Sequence, residues 1–333
     1  MATNTPSPAA PTASEPDQLV EPFDRRLMRA RRERLARSLE TGVMPATDFL
    51  FEEAAKRLVE RLEDVRRTFP TVLELGARHG ALAKHLPAER HGELFLATEL
   101  SPTLASRLAA PYQVVAADEE QLPLAPSSVD LVLANLSLHH VNDLPGTLWQ
   151  ITQTLKPDGF FQGVMLGGNT LQELRASLTA AESEITGGVH PRLSPMADLR
   201  QMAGLLQRAG FALPVADHER ITVRYAEPLT LLAELRAMGE ANIRTDRARS
   251  PLRRDVLFRA LELYRRHYGG DDGRVPVSFD LIFMAGWRPD ASQPQPLRPG
   301  SATTRLATAL GVTEQAVDDP VAPSQQTRQS GPD

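Results

Sequence analysis

Short apolar runs alternate with helical patterns along the first half of the chain, and this alternation predicts the fold class. Segments with helical spacing of hydrophobic residues separate apolar runs at 72–75, 94–98, 113–117, 129–134 and 160–166. Continuous apolar runs are typical of parallel strands that are buried on both faces. The pattern therefore predicts an α/β fold with a doubly wound, mostly parallel sheet.

The second half of the chain adds helices and the last strands. Thr170 and Glu173 have the spacing of a capping box at the start of a helix that follows the fifth strand. Further helices are predicted at 196–209, 229–238 and 252–268, and extended segments at 211–215, 221–225 and 277–287. We predict that 277–287 is a seventh strand, inserted antiparallel beside the sixth, so that a seven-stranded sheet with extra helices results.

The distribution of these elements divides the chain into four segments. Residues 1–22 and 289–333 are rich in Pro, Ser, Thr or Gln and are predicted to be disordered tails. Residues 23–69 contain two amphipathic helices. Residues 70–288 form the α/β domain, with a helical insertion at about 226–270.

The first amphipathic helix, at 23–40, is dense in arginine. Phe23, Leu27, Leu35 and Leu39 recur near one face at helical spacing. We therefore expect the arginines to cover the rest of the helix and to form a solvated face, with the helix packed over the α/β domain. The alternative is that they bind an anionic membrane surface or an acidic partner.

Composition and charge exclude several classes of function. The 333 residues carry a formal net charge of -5, so no general attraction to nucleic acid is expected. Without Cys the chain has no thiolate nucleophile and no cysteine-ligated metal. No apolar run reaches the roughly 18 residues of a membrane span, and residues 1–22 lack the basic residues of a targeting signal. We expect a cytoplasmic, bacterial protein with at most a peripheral membrane contact through the basic helix.

Candidate chemistry begins at the loop after the first predicted strand, in the sequence TVLELGARHG. Glu74 lies near the end of the strand, and Gly76 and Gly80 bound the loop. Open α/β sheets bind ligands at this edge. A carboxylate there suits S-adenosylmethionine, whose amino group and sulfonium are positive. Arg78 stands where such loops usually have a second glycine, and a positive φ there costs on the order of 1 kcal/mol.

Acids at the ends of the next two strands extend this cofactor site. Glu99 ends the second strand and is placed to accept hydrogen bonds from both ribose hydroxyls of an adenosyl group. Asp118 and Glu119 follow the third strand, where a carboxylate can accept a hydrogen bond from the adenine amine. The alternative is that Glu99 only leads into the next helix and binds no ligand.

His139 and His140, after the fourth strand, are the candidate catalytic residues. As a general base, one of them would take a proton from a substrate atom near neutral pH. Their spacing from Asp143 also allows a metal site of two histidines and one carboxylate. Adjacent histidines usually point apart, so no metal is predicted. A polar loop at the mouth of the cleft is the third interpretation.

Five motifs, in this order along the chain, resemble those of class I S-adenosylmethionine-dependent methyltransferases. They are LELGARHG, the strand-end Glu99, ADEEQLPL, VDLVLANLSLHHVNDL and LKPDGFF. A narrower resemblance, carried mainly by MLGGNTLQELR, is to the mitochondrial assembly factors of respiratory complex I. That family has a methyltransferase fold and is credited with hydroxylating an arginine of an iron–sulfur-carrying complex I subunit.

The resemblance implies a Rossmann-like methyltransferase fold and a role for each cofactor residue. Glu74, Gly76 and Gly80 would hold the methionine end of S-adenosylmethionine, Glu99 the ribose, and Asp118 with Glu119 the adenine. Asn135 and Leu136 would line the floor near the reactive centre. Arg78 would pair with the carboxylate of the methionine tail or fill the space that this tail needs.

The resemblance also implies an enzyme that modifies a protein, with a respiratory complex I subunit as the partner. Methyl transfer from S-adenosylmethionine is the leading hypothesis. Hydroxylation of an arginine is one alternative. A non-catalytic assembly chaperone with a degenerate cofactor loop is another.

Overall fold

The computed structural model describes residues 21–41, 48–108, 110–294 and 306–312. Residues 1–20 and most of 289–333, which were predicted to be disordered, lie outside the described residues. The chain divides into a unit from Met1 to Ala291 and a second unit from Ser292 to Asp333. In the second unit the structure describes one short helix, Leu306–Leu310.

Among the described residues, seven strands form one sheet. They are β1 (Thr71–Leu75), β2 (Leu94–Glu99), β3 (Tyr112–Ala116), β4 (Val129–Asn135), β5 (Leu155–Leu166), β6 (Ala212–Tyr225) and β7 (Val275–Trp287). Their order is β3-β2-β1-β4-β5-β7-β6, and β7 is antiparallel to both of its neighbours. The other pairs are parallel. The predicted doubly wound, mostly parallel sheet is confirmed, and the extended segments at 211–215 and 221–225 belong to the single strand β6.

Helices cover both faces of this sheet. They are α1 (Arg25–Thr41), α2 (Phe49–Glu63), α3 (Ala81–His85), α4 (Pro102–Ala105), α5 (Leu144–Thr154), α6 (Gln172–Thr186), α7 (Leu199–Arg208), α8 (Pro228–Ala237) and α9 (Arg254–Tyr268), followed by α10 (Leu306–Leu310) in the second unit. No helix in the described part of the chain is long and apolar enough to cross a membrane.

The two faces of the sheet carry separate hydrophobic layers. Along β4, Leu131 and Leu133 pack into the layer formed with α2, α6 and α9. Val132 and Ala134 pack into the layer formed with α5 and α7. This alternation follows from the twofold period of a strand, and it explains why a strand buried on both faces has a continuous apolar sequence.

The start of α6 differs from the prediction. The hydroxyl of Thr170 accepts a hydrogen bond from the backbone amide of Asp280 at 3.1 Å. The carboxylate of Glu173 accepts hydrogen bonds from the amide and the hydroxyl of Ser278, at 3.2 and 2.5 Å. No side chain caps α6. The predicted capping box is wrong because β7 offers both side chains partners that no local pattern reveals.

Candidate functional site

Glu99 ends β2 at the carboxyl edge of the sheet, and its side chain is completely buried. Its carboxylate accepts hydrogen bonds from the backbone amides of Arg78, at 3.0 Å, and Ser101, at 2.9 Å. The first amide belongs to the loop between β1 and α3, and the second to the N-cap of α4. Glu99 therefore ties together the two loops at which open α/β sheets bind ligands.

Glu119 follows β3 at the same edge and is also completely buried, against the glycine loop. A Cβ added to Gly76 would lie 2.7 Å from Oε1 of Glu119 and 2.6 Å from the Cβ of Ser137. Gly76 also has a φ of 66°, which favours glycine. We call the buried cluster of Gly76, Glu99, Glu119, His139 and His140 the carboxyl-edge cleft.

Two arginines of α1 pair with the acids of the carboxyl-edge cleft. Arg32 is 2% exposed and lies 3.2 Å from Glu99 and 3.4 Å from Glu119. Arg25 forms ion pairs with Asp118 and Glu119. Burial opposes the charge of Arg32, but Glu99 and Glu119 hold its pKa above the usual value. Burial opposes the charge of Glu119 in the same way, but Arg32 and Arg25 hold its pKa below the usual value. The pairs of Arg25 and Arg32 with Glu119 are therefore charged at neutral pH.

The burial of Arg32 corrects the prediction that every arginine of this helix is solvated. The inward face of α1 carries Met28, Arg32, Leu35 and Ala36, at the spacing of one helical face. A buried charge is tolerated only when it is paired, and the strand-end acids supply the pairing that the helix itself lacks. Exposed arginines remain on the rest of the helix, at Arg26, Arg29, Arg34 and Arg37. The membrane or acidic-partner interpretation stays a prediction for that surface.

The arginines of α1 also bear on binding of S-adenosylmethionine at the carboxyl-edge cleft. The acids suit an adenosyl group chemically, because carboxylates at these strand ends accept hydrogen bonds from ribose hydroxyls. With α1 in this position, however, Arg25 and Arg32 pair with the same carboxylates. Binding of an adenosyl group to these acids requires the ion pairs to open.

Glu74, for which a contact with the methionine end was predicted, accepts a hydrogen bond from the hydroxyl of Tyr112. Burial raises the pKa of Glu74 to about 8, although the hydrogen bond from Tyr112 opposes this shift. Glu74 is therefore mostly protonated at neutral pH and offers no charge to an ammonium group. Gly80 begins α3 with a φ of 73°, and it lines a cavity of about 490 Å³ together with Tyr112 and Arg78.

Arg78 has a φ of 52° and is 3% exposed. Its guanidinium donates hydrogen bonds to Glu240, at 2.9 Å, and to the carbonyl oxygen of Met238. It also lies 3.9 Å above the ring of Phe51. Burial lowers the pKa of Arg78, and Glu240 opposes that shift. Arg78 thus pairs with a carboxylate of its own chain, whereas the resemblance implied the carboxylate of a cofactor.

Glu240, in the loop after α8, also brings His139 and His140 together. Its Oε2 lies 3.0 Å from Nε2 of His139 and 3.7 Å from Nδ1 of His140. Burial and the neighbouring His139 lower the pKa of His140 well below its usual value, so this imidazole is neutral. Burial opposes the charge of Glu240, but His139, His140 and a nearby arginine hold its pKa far below the usual value.

Asp143, the acid whose spacing suggested a partner for these histidines, lies elsewhere. Its carboxylate caps α5 by accepting a hydrogen bond from the amide of Gly146 at 2.8 Å. The sequence offered no local signal for Glu240, because 101 residues separate it from His139. The segment AMGEAN, which contains Glu240, belonged only to the narrower resemblance.

Asn135 and Leu136, predicted to line the floor of the site, face the hydrophobic layer that contains α2. The side-chain amide of Asn135 donates a hydrogen bond to the carbonyl oxygen of Phe51 at 3.0 Å. Leu136 is 1% exposed and belongs to the same hydrophobic cluster as Leu133 and Leu174. Among the residues after them, Ser137, His139 and His140 reach the carboxyl-edge cleft, whereas Leu138 packs into the opposite hydrophobic layer.

Comparison with known proteins identifies several to which this chain is similar. A family model described as a methyltransferase domain matches residues 47–214. Arginine-hydroxylase NDUFAF5, mitochondrial, from Danio rerio is 41% identical over 287 residues, which cover 86% of this chain and 88% of that protein. The protein of the same name from Homo sapiens is 40% identical and covers 89% and 86%. A malonyl-[acyl-carrier protein] O-methyltransferase from Halorhodospira halophila is 34% identical and covers 72% and 81%.

Proposed function

Because the chain belongs to the methyltransferase-domain family, together with the arginine hydroxylase NDUFAF5, we propose that it is an enzyme that hydroxylates an arginine of a protein. The similarity to NDUFAF5 spans 287 residues and so extends well beyond the methyltransferase-domain segment. We propose further that the protein substrate is a subunit of respiratory complex I, as the resemblance to complex I assembly factors implies.

The observation that carries this proposal is that carboxylates in the carboxyl-edge cleft hold guanidinium groups. Arg25 and Arg32 pair with strand-end acids, and Arg78 lies between Glu240 and the ring of Phe51. Charge-assisted hydrogen bonds and an aromatic face are the usual means by which proteins bind a guanidinium. We propose that a substrate arginine takes the place of one of these guanidinium groups and is held by the same carboxylates.

The proposed reaction replaces one C–H bond of the arginine side chain by a C–OH group. One oxygen atom of dioxygen enters that bond, and the other leaves as water with two protons and with two electrons from a reductant. Dioxygen and a two-electron reductant are thus co-substrates. The chain itself contributes position, because carboxylates hold the guanidinium, and a buried site excludes competing water.

Mass spectrometry of respiratory complex I tests this proposal. We expect one arginine to carry one additional oxygen atom in the wild-type strain and not in a deletion strain. Complementation with Glu240→Gln is expected to lower the modified fraction by about 100-fold, since a group at the site of chemistry is altered. Asp143→Asn, which keeps a capping side chain on α5, is the matched control and restores modification. An identical mass in the wild-type and deletion strains would contradict the proposal.

Methyl transfer from S-adenosylmethionine is the second candidate, and the match to a methyltransferase domain favours it. Binding requires Arg32 to leave Glu99 and Glu119, so the affinity of the native protein is reduced by the cost of opening these ion pairs. This candidate places the adenosyl group on Glu99, Asp118 and Glu119, as the sequence predicted.

Calorimetric titration with S-adenosylmethionine separates this candidate from hydroxylation alone. We expect Arg32→Ala to bind the cofactor at least about tenfold more tightly than the native protein, because Arg32 no longer has to leave Glu99 and Glu119. Glu99→Gln is expected to bind more weakly. Circular dichroism first establishes that each variant is folded. Absence of binding to both the native protein and Arg32→Ala excludes methyl transfer from this donor.

The remaining expectations concern partners and location. It stays a prediction that the protein is cytoplasmic and touches the inner membrane through the exposed arginines of α1. The absence of a nucleic-acid partner also stays a prediction. The same complementation strains address the chaperone alternative. Assembly restored by Glu240→Gln without modification would favour a non-catalytic role.

A further inference from the structure

Three buried side chains at the carboxyl-edge cleft form a donor set of their own. We propose that His139, His140 and Glu240 bind one divalent ion of a first-row transition metal. The donor atoms are Nε2 of His139, Nδ1 of His140 and Oε2 of Glu240. Two imidazole nitrogens and one carboxylate oxygen are a donor set that suits Fe²⁺, Zn²⁺ and Co²⁺ and leaves other coordination positions open.

The distances among these donor atoms are close to those that a shared ion imposes. Oε2 of Glu240 lies 3.0 Å from the His139 nitrogen and 3.7 Å from the His140 nitrogen. All three atoms lie within 4.8 Å of one another. Donors bound at about 2.0–2.2 Å around one ion are separated by roughly 3.0–3.5 Å. Small side-chain movements therefore bring the set to coordination distance.

The three proposed ligands are buried side chains and not part of an exposed acidic surface. The side chains of His139, His140 and Glu240 are 1%, 3% and 4% exposed. Both histidines direct one ring nitrogen at Oε2 of the same carboxylate, at 3.0 Å for His139 and 3.7 Å for His140. A metal ion would satisfy the donors that face one another, and it would explain why two adjacent histidines turn to the same acid.

The surroundings orient the proposed ligands. Arg78 donates a hydrogen bond to Oε1 of Glu240 at 2.9 Å, which leaves Oε2 directed at the histidines. Arg25 donates a hydrogen bond to the backbone carbonyl of His140 at 3.3 Å. Hydrogen bonds of this kind fix ligand geometry around metals.

The charges around the donor set are largely balanced. Arg25 and Arg32, the other cations near His140, are paired with the acids at the ends of β2 and β3.

Metal binding goes beyond the proposed hydroxylation and is measured without any protein substrate. A ferrous ion held here would supply the redox chemistry that insertion of oxygen into a C–H bond requires. The residues of this chain hold the ion, set its ligand geometry and bring it beside the guanidinium-binding groups of the same cleft.

Titration of the metal-free full-length protein with Co²⁺ tests the site. We expect visible absorption bands that saturate at about one ion per chain, since the structure offers one such donor set. We expect each of three substitutions to weaken Co²⁺ binding by more than about 100-fold: His139→Gln, His140→Asn and Glu240→Gln. Loss of a hydrogen bond to a metal ligand costs about 10- to 100-fold in affinity, and loss of the ligand itself costs more. If Glu240→Gln does not fold, the two histidine variants, which leave the pair between Arg78 and Glu240 intact, carry the test.

Two control variants separate this site from adventitious binding. Asp143→Asn changes a nearby acid that is not in the set, and His190→Gln changes a half-exposed histidine that pairs with Glu182. Both are expected to bind Co²⁺ like the native protein. Absence of the cobalt bands in the native protein, or their persistence in all three ligand variants, would overturn the metal site.

The outcomes for metal binding and hydroxylation are independent. Cobalt binding that depends on the three ligands, without modification of any complex I arginine, supports the metal site and contradicts the proposed function. Arginine modification by metal-free protein, without cobalt binding, supports the proposed function and overturns the metal site.

Discussion

Replacement of Arg32 by alanine is expected to lower the free energy of unfolding by about 3–5 kcal/mol. Arg32 is 2% exposed and joins Glu99 to Glu119, both of which are completely buried. Without its guanidinium, two buried carboxylates lose a shared counter-charge. The loss includes the penalty of unpaired buried charge, so it exceeds the effect of an exposed ion pair several-fold. Denaturant titration followed by circular dichroism measures the change.

Two further variants test whether the loss of stability comes from the buried ion pairs. Arg26→Ala removes an exposed arginine from the same helix and is expected to change stability by less than about 0.5 kcal/mol. Arg32→Met combined with Glu99→Gln and Glu119→Gln removes the buried charges together and is expected to recover part of the loss. Equal effects of Arg32→Ala and Arg26→Ala would show that the buried ion pairs contribute nothing.

Replacement of Glu74 by glutamine is expected to abolish a large pH dependence of stability. Burial raises the pKa of Glu74 to about 8 in the folded protein, whereas the unfolded value is 4.5. The folded state therefore binds more protons than the unfolded state between these values, and stability falls as the pH rises from 4.5 to about 8. The full loss is at most about 5 kcal/mol. Glutamine carries no charge and still accepts the hydrogen bond from Tyr112.

The comparison is made by unfolding both proteins with denaturant at about pH 5 and at about pH 9. Most of the change in protonation of Glu74 lies between these two pH values. Glu74→Gln and the native protein are expected to differ little at the lower pH, and the variant is expected to be more stable by several kcal/mol at the higher pH. Glu93→Gln, at an exposed position, is the control and follows the native protein. A difference that does not change between the two pH values would contradict a raised pKa at Glu74.

Three charged side chains that contact the carboxyl-edge cleft, Arg25, Arg32 and Glu240, come from two segments outside the matched methyltransferase domain. That domain covers residues 47–214, whereas Arg25 and Arg32 lie before it and Glu240 lies after it. α1 brings two guanidinium groups to the strand-end acids, and the loop after α8 brings the carboxylate that meets Arg78 and the histidines. The segments outside the matched domain therefore supply charged partners for the strand-end acids, for Arg78 and for the histidines.

Much of the fold was predictable from local patterns. Apolar runs identified the strands, because strands buried on both faces need apolar side chains on both faces, as β4 shows with Leu131 to Ala134. Ser101 and Asp143 cap α4 and α5 because Ser and Asp before a helix accept hydrogen bonds from its first amides, which is a local signal. The positions of Glu99 and Glu119 at one edge followed from the parallel order of their strands.

The sequence by itself thus determined the sheet, its helices and the row of acids at its carboxyl edge, because these depend on periodicity and on chain direction. Only the tertiary structure decided the partners of those acids. Arg32 meets Glu99 across 67 residues, and Arg78 meets Glu240 across 162. The pairing of buried charges depends on which distant segments of the chain pack over the cleft. The spacing of residues along the sequence does not predict this packing. For the same reason the histidines contact Glu240, whereas Asp143, the acid nearer to them in sequence, caps α5.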